Sequence, residues 1–452
     1  MNIIIAGGGK LGLALTRQLV AEGHALTLID RNNLVLQTAV EQYDAIGVSG
    51  NCAAKEVLQQ AGVQEADLLI ATTEADEVNL LCCMTAHGMN PKIHTIARIR
   101  NPEYTEQIMT MRKVYNLSMA VNPEKQAARE IERLLKFPGF LRRDTFAKGR
   151  VEIVELRIDH QSKLSDVALS NLGSIVKCKV LVCAVLRAGA AIAPSGNFVL
   201  REGDRIFVTA STQDLTKLLK NLGIITRKVH RVLVCGGGKV SYYLAKLLEK
   251  DRMSVQILER NYDRCTELAT LLPKTSIVHG DCSDQTTLEN QGLGQCDGLV
   301  TLTGADEINM IVSLYGSSQG VPQVITKLSR GASSSVANSM ALGSTISPKE
   351  LCCNNIVRYV RAMQNQTGAA VSVHAIADGQ AEAVEFLVDE NTKNCGIPLK
   401  QMKLKENVLI VGITHGVQTR IPDGDAVFTQ GDTVVVVTSG RGYLQQLNDI
   451  FA

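Results

Sequence analysis

Short apolar runs of strand length recur along the chain, with helix-like patterns between them. In the first hundred residues the runs fall at Asn2 to Ala6, Leu26 to Asp30, Ala45 to Val48, Leu68 to Thr72 and Ile93 to Arg98. Between the first two, Leu11, Leu15 and Leu19 share one helical face at i, i+4 and i+8. Strands alternating with helices in this way predict a parallel sheet with right-handed crossovers. Beyond the fifth run, NPEYTEQIMTMR reads as a helix, MAVN as a short strand, and PEKQAAREIERLLK as a helix with Pro123 in its first turn.

The pattern then repeats. NIIIAGGGKLG from Asn2 returns as RVLVCGGGKVS from Arg231, and SPKELCCNNIVRYVRAMQ takes the place of the Pro123 helix. Gly7 and Gly236 lie 229 positions apart, as do Asp30 and Glu259; Gly50 and Gly280 lie 230 apart, as do the D-E-x-N tetrads from Asp76 and Asp306. One nearly constant offset indicates duplication of a large unit. Within each unit the alternation gives way to β-rich stretches with Gly turns: VEIVELRID, VKCKVLVCAVLR and REGDRIFVTA, then AVEFLVD, VLIVGIT and TQGDTVVVVTS. The predicted fold class is α/β: two Rossmann-like parallel-sheet domains, each followed by a small α+β domain. Boundaries are expected at 1–140, 141–227, 228–368 and 369–452, with the link between units near Thr226 to His230.

Gly7-Gly8-Gly9-Lys10-Leu11-Gly12 satisfies G-x-G-x-x-G directly after a strand and at the start of a helix. The first glycine permits a tight turn, the second lets backbone approach a pyrophosphate, and the third allows close helix–strand packing. The helix N-terminus offers free N–H groups to phosphate. Asp30, at the end of the second strand, is placed to accept hydrogen bonds from a ribose hydroxyl and disfavours a 2′-phosphate. The second turn, Gly236-Gly237-Gly238-Lys239-Val240-Ser241, has Ser in the third place and Glu259 as its acid; nucleotide binding and a purely structural role are both open there. The acidic tetrads read as helix N-terminal caps that complement the dipole, with a cation site as the alternative.

Composition narrows the function. The chain has 452 residues, 45% hydrophobic and 20% charged, with a net charge of +2. It lacks the basic excess that nucleic-acid phosphates require. Twelve cysteines are scattered without C-x-x-C spacing, and no run approaches the roughly 20 apolar residues of a membrane span. The opening apolar run is short for a signal peptide and has no small-residue cleavage site, so a reducing cytoplasm is expected. The eight histidines, His24, His87, His94 and His279 among them, form no cluster. A dehydrogenase needs a proton donor facing its nicotinamide, so the chain is read as a non-enzyme. An NAD-dependent oxidoreductase and a soluble nucleotide sensor with a non-membrane partner are the alternatives.

The G-G-G-K-x-G turn, the block AGVQEADLLIATTEADEVNLL from Ala61, ARIRNPEY from Ala97 and the tandem β-rich second domains together resemble the RCK (KTN) family, regulators of potassium conductance. The resemblance implies a large domain that binds NAD or NADH, or ATP or ADP. It also implies rings of subunits, as homotetramers, on the cytoplasmic face of a membrane-embedded potassium transporter subunit of the TrkH/TrkG type, whose pore the nucleotide regulates. It places Gly7, Gly8, Gly9, Lys10, Leu11 and Gly12 at the phosphates, Asp30 with Arg31 at the ribose, and Asn51 and Cys52 near the adenine. Thr72, Thr73 and Glu74 fall at the switch-point crevice and Arg98 near the phosphates. The second copy supplies Gly236, Gly237, Gly238, Lys239, Val240, Glu259, Asp281, Cys282, Thr301, Thr303 and Lys327. Where the family often has Gly-Asp, the first copy has Gly50-Asn51, whereas the second keeps Gly280-Asp281. The helices at about Glu103 to Lys113 and Glu124 to Lys136 offer Ile108, Met109, Val114, Ile131, Leu134 and Leu135, either for pairing large domains or for burial within one.

Overall fold

The computed structural model describes residues 1–112, 114–136, 139–159, 162–223, 228–329, 340, 342–364, 370–439, 444 and 446–452. Lys113, and Thr226 and Arg227 of the expected link, lie outside the described residues, as does the side chain of Met109.

The first large domain runs β1 (Asn2–Ala6), α1 (Lys10–Ala21), β2 (Ala25–Asp30), α2 (Asn33–Tyr43), β3 (Ile46–Ser49), α3 (Lys55–Gln60), β4 (Leu68–Ala71), α4 (Asp76–Met89), β5 (His94–Arg98), α5 (Pro102–Met111), β6 (Met119–Val121) and α6 (Pro123–Lys136). Its sheet has the order β3-β2-β1-β4-β5-β6, every pairing parallel. Strand order reverses between β1 and β4, which opens a crevice at their carboxyl ends. All four residues of β4 are buried, as are Ile3 to Ala6 of β1. Continuous apolar strands of this kind belong to a parallel sheet covered on both faces. β4 ends at Ala71, so Thr72, expected as the last strand residue, lies instead in the loop beyond it.

The first small domain holds β7 (Arg142–Phe146), β8 (Val151–Arg157), α7 (Leu172–Val176), β9 (Val180–Arg187), β10 (Ala190–Ile192), β11 (Arg205–Ala210) and α8 (Thr212–Asn221), with an antiparallel sheet ordered β10-β9-β11-β8-β7. The second large domain follows: β12 (Arg231–Cys235), α9 (Lys239–Lys250), β13 (Ser254–Glu259), α10 (Tyr262–Leu271), β14 (Ser276–His279), α11 (Gln285–Asn290), β15 (Gly298–Thr301), α12 (Asp306–Ser318), β16 (Gln323–Lys327), β17 (Ser344–Ile346) and α13 (Pro348–Gln364). Its sheet order, β14-β13-β12-β15-β16-β17, repeats that of the first. The second small domain has β18 (Ala370–Ile376), β19 (Ala381–Leu387), β20 (Val408–His415), β21 (Gln418–Arg420) and β22 (Thr433–Ser439), ordered β18-β19-β22-β20-β21. Two Rossmann-like domains thus alternate with two small antiparallel ones, as the hydrophobic pattern predicts.

Compactness divides the chain into one unit of Met1–Arg129 with Ser347–Val360 and another of Glu130–Ile346 with Arg361–Ala452. The helices that follow the sixth strand of each large domain cross this division. α6 starts on a side-chain cap, Asn122 accepting from the Lys125 amide at 2.8 Å, with Pro123 next. Its second half packs in the other unit, where Leu135 lies over Gly298 and Lys136 meets Asp251 at 2.8 Å. The first part of α13 packs in the first unit, where the Tyr359 hydroxyl lies 3.3 Å from His94 Nδ1. Ile108, Ile131, Leu134 and Leu135 are all buried within the chain, while Val114 is exposed. For those four, intrachain packing is the role.

In the second unit one apolar cluster joins both antiparallel sheets, with Phe146, Val151, Ile153 and Phe207 from one and Ile376, Ala383, Val411 and Val435 from the other. At its edge Asp144 on β7 meets His374 on β18 at 3.0 Å and Arg142 at 2.9 Å. Burial opposes ionisation of Asp144, yet Arg142 and His374 outweigh it and hold its pKa at about 2.

Candidate functional site at the glycine turns

Each glycine of the first turn has a different physical reason. Gly7 has φ +103°, and a Cβ there would lie 2.9 Å from the Thr73 nitrogen. A Cβ on Gly12 would lie 1.9 Å from the Gly7 carbonyl oxygen. Fold and packing therefore demand both. Gly9 is unlike them: its backbone is ordinary extended chain (φ −66°, ψ −174°), and no atom comes within 4 Å of where a Cβ would stand. The fold itself does not require glycine at this place. Gly238 repeats the condition, with φ −70°, ψ −175° and open space.

Gly9 is also the N-cap residue of α1 and offers no side-chain cap, so the first-turn amides of Lys10, Leu11 and Gly12 are open to an external acceptor. Leu11 and Val240 are buried and can contribute only backbone, whereas Lys10 and Lys239 are exposed. An anion is the natural occupant of such a helix end.

Asp30 is more engaged than its expected role. One carboxylate oxygen accepts from the Gly8 amide at 2.6 Å and the other from the Asn32 amide at 2.8 Å. Glu259 does the same with Gly237 and Asn261, at 2.6 and 2.7 Å. The acid at the strand end thus ties the glycine turn to the next loop. A carboxylate offers about four lone-pair sites, so each acid keeps capacity for a ribose hydroxyl. Arg31 lies exposed beside Asp30.

Across the crevice Thr72 donates to the Gly7 carbonyl at 3.0 Å. In the second copy the residue at that place is Leu302, which has no hydroxyl, and Ser241 donates to the Gly236 carbonyl instead. The hydroxyl that satisfies the first glycine has moved from the loop after the fourth strand to the helix, which accounts for Ser in the third glycine position. Thr301, expected at the second crevice, is the final residue of β15. It is fully buried, with its hydroxyl 3.0 Å from that of Ser313. The shift of one residue between the copies makes Thr303, not Thr301, the counterpart of Thr73.

Sequence reasoning missed the residue that holds this loop. The Asn79 carboxamide oxygen accepts from the Thr73 amide at 2.8 Å and its hydroxyl at 2.7 Å, and its nitrogen donates to the carbonyls of Thr73 and Arg98 at 3.1 and 2.9 Å. Asn309 makes the same four contacts with Thr303 and Lys327. The fourth place of the repeated tetrad was the available signal. The acids of the tetrad do lie in the first turn of their helices, but they make no side-chain cap there. Asp76 instead accepts from the amides of Arg100 and Asn101 at 2.8 and 2.7 Å, and Asp306 from that of Ser329 at 2.9 Å.

Arg98 donates to the Thr73 carbonyl and Arg100 to that of Glu74. Burial, reinforced by neighbouring Arg100, lowers the Arg98 pKa. Lys327 reaches the Leu302 carbonyl at 3.2 Å. Glu74 is exposed on the loop between β4 and α4. At the expected adenine end, Asn51 accepts from the Ala53 amide at 3.3 Å. Asp281 accepts from the Ser283 amide and hydroxyl at 2.9 and 2.8 Å, and these bonds lower its pKa. Cys52 and Cys282 point inward. Both are buried, beside Cys82 and Cys235 respectively, so the backbone is the part of each best placed to border a ligand.

Comparison with known proteins agrees with this fold. The TrkA-N domain family matches residues 3–122 and 232–348, and the TrkA-C domain family residues 153–223 and 383–452. The Trk system potassium uptake protein TrkA of Vibrio alginolyticus is 30% identical over 457 residues, covering 100% of this chain and 98% of that protein. The TrkA homolog of Archaeoglobus fulgidus is 30% identical over 452 residues, covering 100% of both. Among solved structures, the GsuK channel bound to NAD has the same fold, with a TM-score of 0.61 at 16% identity over 97% of this chain and 76% of that one.

Proposed function

The chain belongs to the TrkA family of potassium uptake proteins, and from that premise we propose that it is the nucleotide-binding regulatory subunit of a potassium transporter. It acts at the cytoplasmic face, peripheral to a membrane-embedded subunit of the TrkH/TrkG type, as a homotetramer. NAD or NADH, or ATP or ADP, binds at Gly7 to Gly12 with Asp30, Thr73 and Arg98 around it. Binding at Gly236 to Ser241 with Glu259, Thr303 and Lys327 forms the second site. Among the described residues no helix is long and apolar enough to cross a membrane, and on this reading a partner supplies the permeation path.

The observation that carries this reading is the unexplained glycine. Gly9 and Gly238 leave open space over a helix N-terminus that neither backbone conformation nor packing requires to be open. A ligand that brings phosphate against backbone explains both. The solved relative's complex with NAD supports a dinucleotide as one such ligand. Nucleotide then acts as a signal, because it shifts the assembly only through its different affinities for two arrangements. Calorimetric titration of the full chain with NAD, NADH, ATP and ADP tests this. Absence of heat with all four, at concentrations that fill ordinary nucleotide sites, would sink the reading.

A further inference from the structure

The two crevices differ where a base would lie. In the second large domain, Glu259 at the end of β13 pairs in register with His279 at the end of β14; in the first, Asp30 pairs with Ser49. α10 begins with Tyr262, whereas α2 begins with Asn33. Tyr262 is 68% exposed, and its ring meets the His279 ring edge to face, with centroids 5.6 Å apart and an interplanar angle of 83°. His279 is itself fixed from below, Nε2 lying 3.0 Å from the Arg260 carbonyl oxygen. The copy with aromatic residues at both places thus has them beside its ribose acid, and the other copy has two small polar residues.

Asn32 and Asn261 cap the two helices alike, so Tyr262, which stands where the first copy has Asn33, does no capping, and among the described residues its ring is held only by the edge-to-face contact with His279. In a parallel sheet the ligand lies outside the carboxyl ends of the strands at the switch point. With phosphate on the glycine turn and ribose on the acid, the base extends past the ends of the second and third strands. Those ends are where Tyr262 and His279 stand. Aromatic side chains hold a base by stacking, independently of its hydrogen-bonding pattern.

We propose that the Tyr262 ring, held at right angles to the His279 ring, stacks on the purine base of a nucleotide at the second site, so that this site selects for an aromatic base while the first depends on phosphate and ribose contacts. The inference rests on the nucleotide-binding reading above. It makes the sites unequal in kind: the second discriminates purine nucleotides from base-free sugar phosphates.

The test is a titration of the full chain with the fluorescent probe ethenoadenosine diphosphate and, separately, with ribose 5-phosphate. It compares the unaltered protein with Tyr262→Ala, Tyr262→Phe and His279→Ala. Tyr262→Ala weakens one class of probe site about ten-fold, Tyr262→Phe retains it, and ribose 5-phosphate binding is the same in all four. Asp30→Ala weakens the other class and so identifies it. The exposure of Tyr262 keeps the variants folded, which a thermal melt verifies. Probe affinity in Tyr262→Ala equal to that of the unaltered chain overturns the stacking role and leaves the nucleotide reading standing. Failure of the unaltered chain to bind the probe at all overturns both.

Discussion

At the scale of single residues, the glycines separate what the fold needs from what a ligand needs. Gly12 is demanded by the Gly7 carbonyl 1.9 Å from its missing Cβ, so Gly12→Ala forces the helix off the strand and costs about 1–3 kcal/mol, as overpacking does, measurable by urea denaturation. Gly9 has no such neighbour, and its dihedrals suit any residue. Gly9→Val is expected to leave stability within about 0.5 kcal/mol while lowering nucleotide affinity at the first site at least about ten-fold, because the side chain fills the approach to the first-turn amides. Calorimetry beside a thermal melt separates the two quantities, and unchanged affinity would remove the phosphate from Gly9. The spacing of the G-x-G-x-x-G motif is enough to make these positions legible in the sequence. The bonds of Asp30 to Gly8 and Asn32, and of Asn79 to Thr73, are not legible there, because they join segments that only tertiary packing brings together. Asn79 is fully buried and makes four hydrogen bonds. Asn79→Leu leaves the Thr73 amide without its partner, and a loss of roughly 1–3 kcal/mol in stability follows, together with weaker nucleotide binding as the crevice loop loosens.

At the scale of elements, the strands of the first parallel sheet can be read within a residue or two, since each is a short apolar run between helical patterns. β7 cannot. Its sequence, RRDTF, has no alternation of apolar and polar positions, and it becomes a strand through pairing with β8 and the contact of Asp144 with His374. That contact gives a pH dependence of definite sign. The folded pKa of Asp144, about 2, lies below the ordinary 3.8. Its carboxylate therefore adds stability that is fully present above about pH 4 and is lost as pH falls towards 2. Asp144→Asn removes this part, so acid unfolding of the variant, followed by circular dichroism, is shallower over that window than that of the unaltered protein. The destination of α6 is equally hidden. Its apolar face reads as amphipathic in either unit, and Leu135 turns out to pack against Gly298. Leu135→Ala opens a cavity in the second unit and is expected to cost about 2–5 kcal/mol.

At the scale of the whole molecule, duplication without identity is the property that matters. Sequence spacing reveals the two copies, and the structure shows how they diverge: a relocated hydroxyl at the third glycine position, an inward Thr301, and an aromatic pair beside Glu259 alone. Each change leaves the open space over Gly238 intact, although a purely structural copy would have no reason to keep it. If both copies report nucleotide to one transporter, silencing either should reduce the response and silencing both should abolish it. The experiment measures potassium uptake in cells lacking the endogenous protein and complemented with the unaltered chain, with Gly9→Val, with Gly238→Val, or with the double variant. Since neither position has a packing neighbour, all four chains are expected to fold and to co-purify with the transporter subunit. Uptake is then expected to follow nucleotide level with the unaltered chain, less steeply with each single variant, and not at all with the double. A double variant that still responds fully would mean that the glycine turns do not carry the signal, even where the protein remains attached to its transporter.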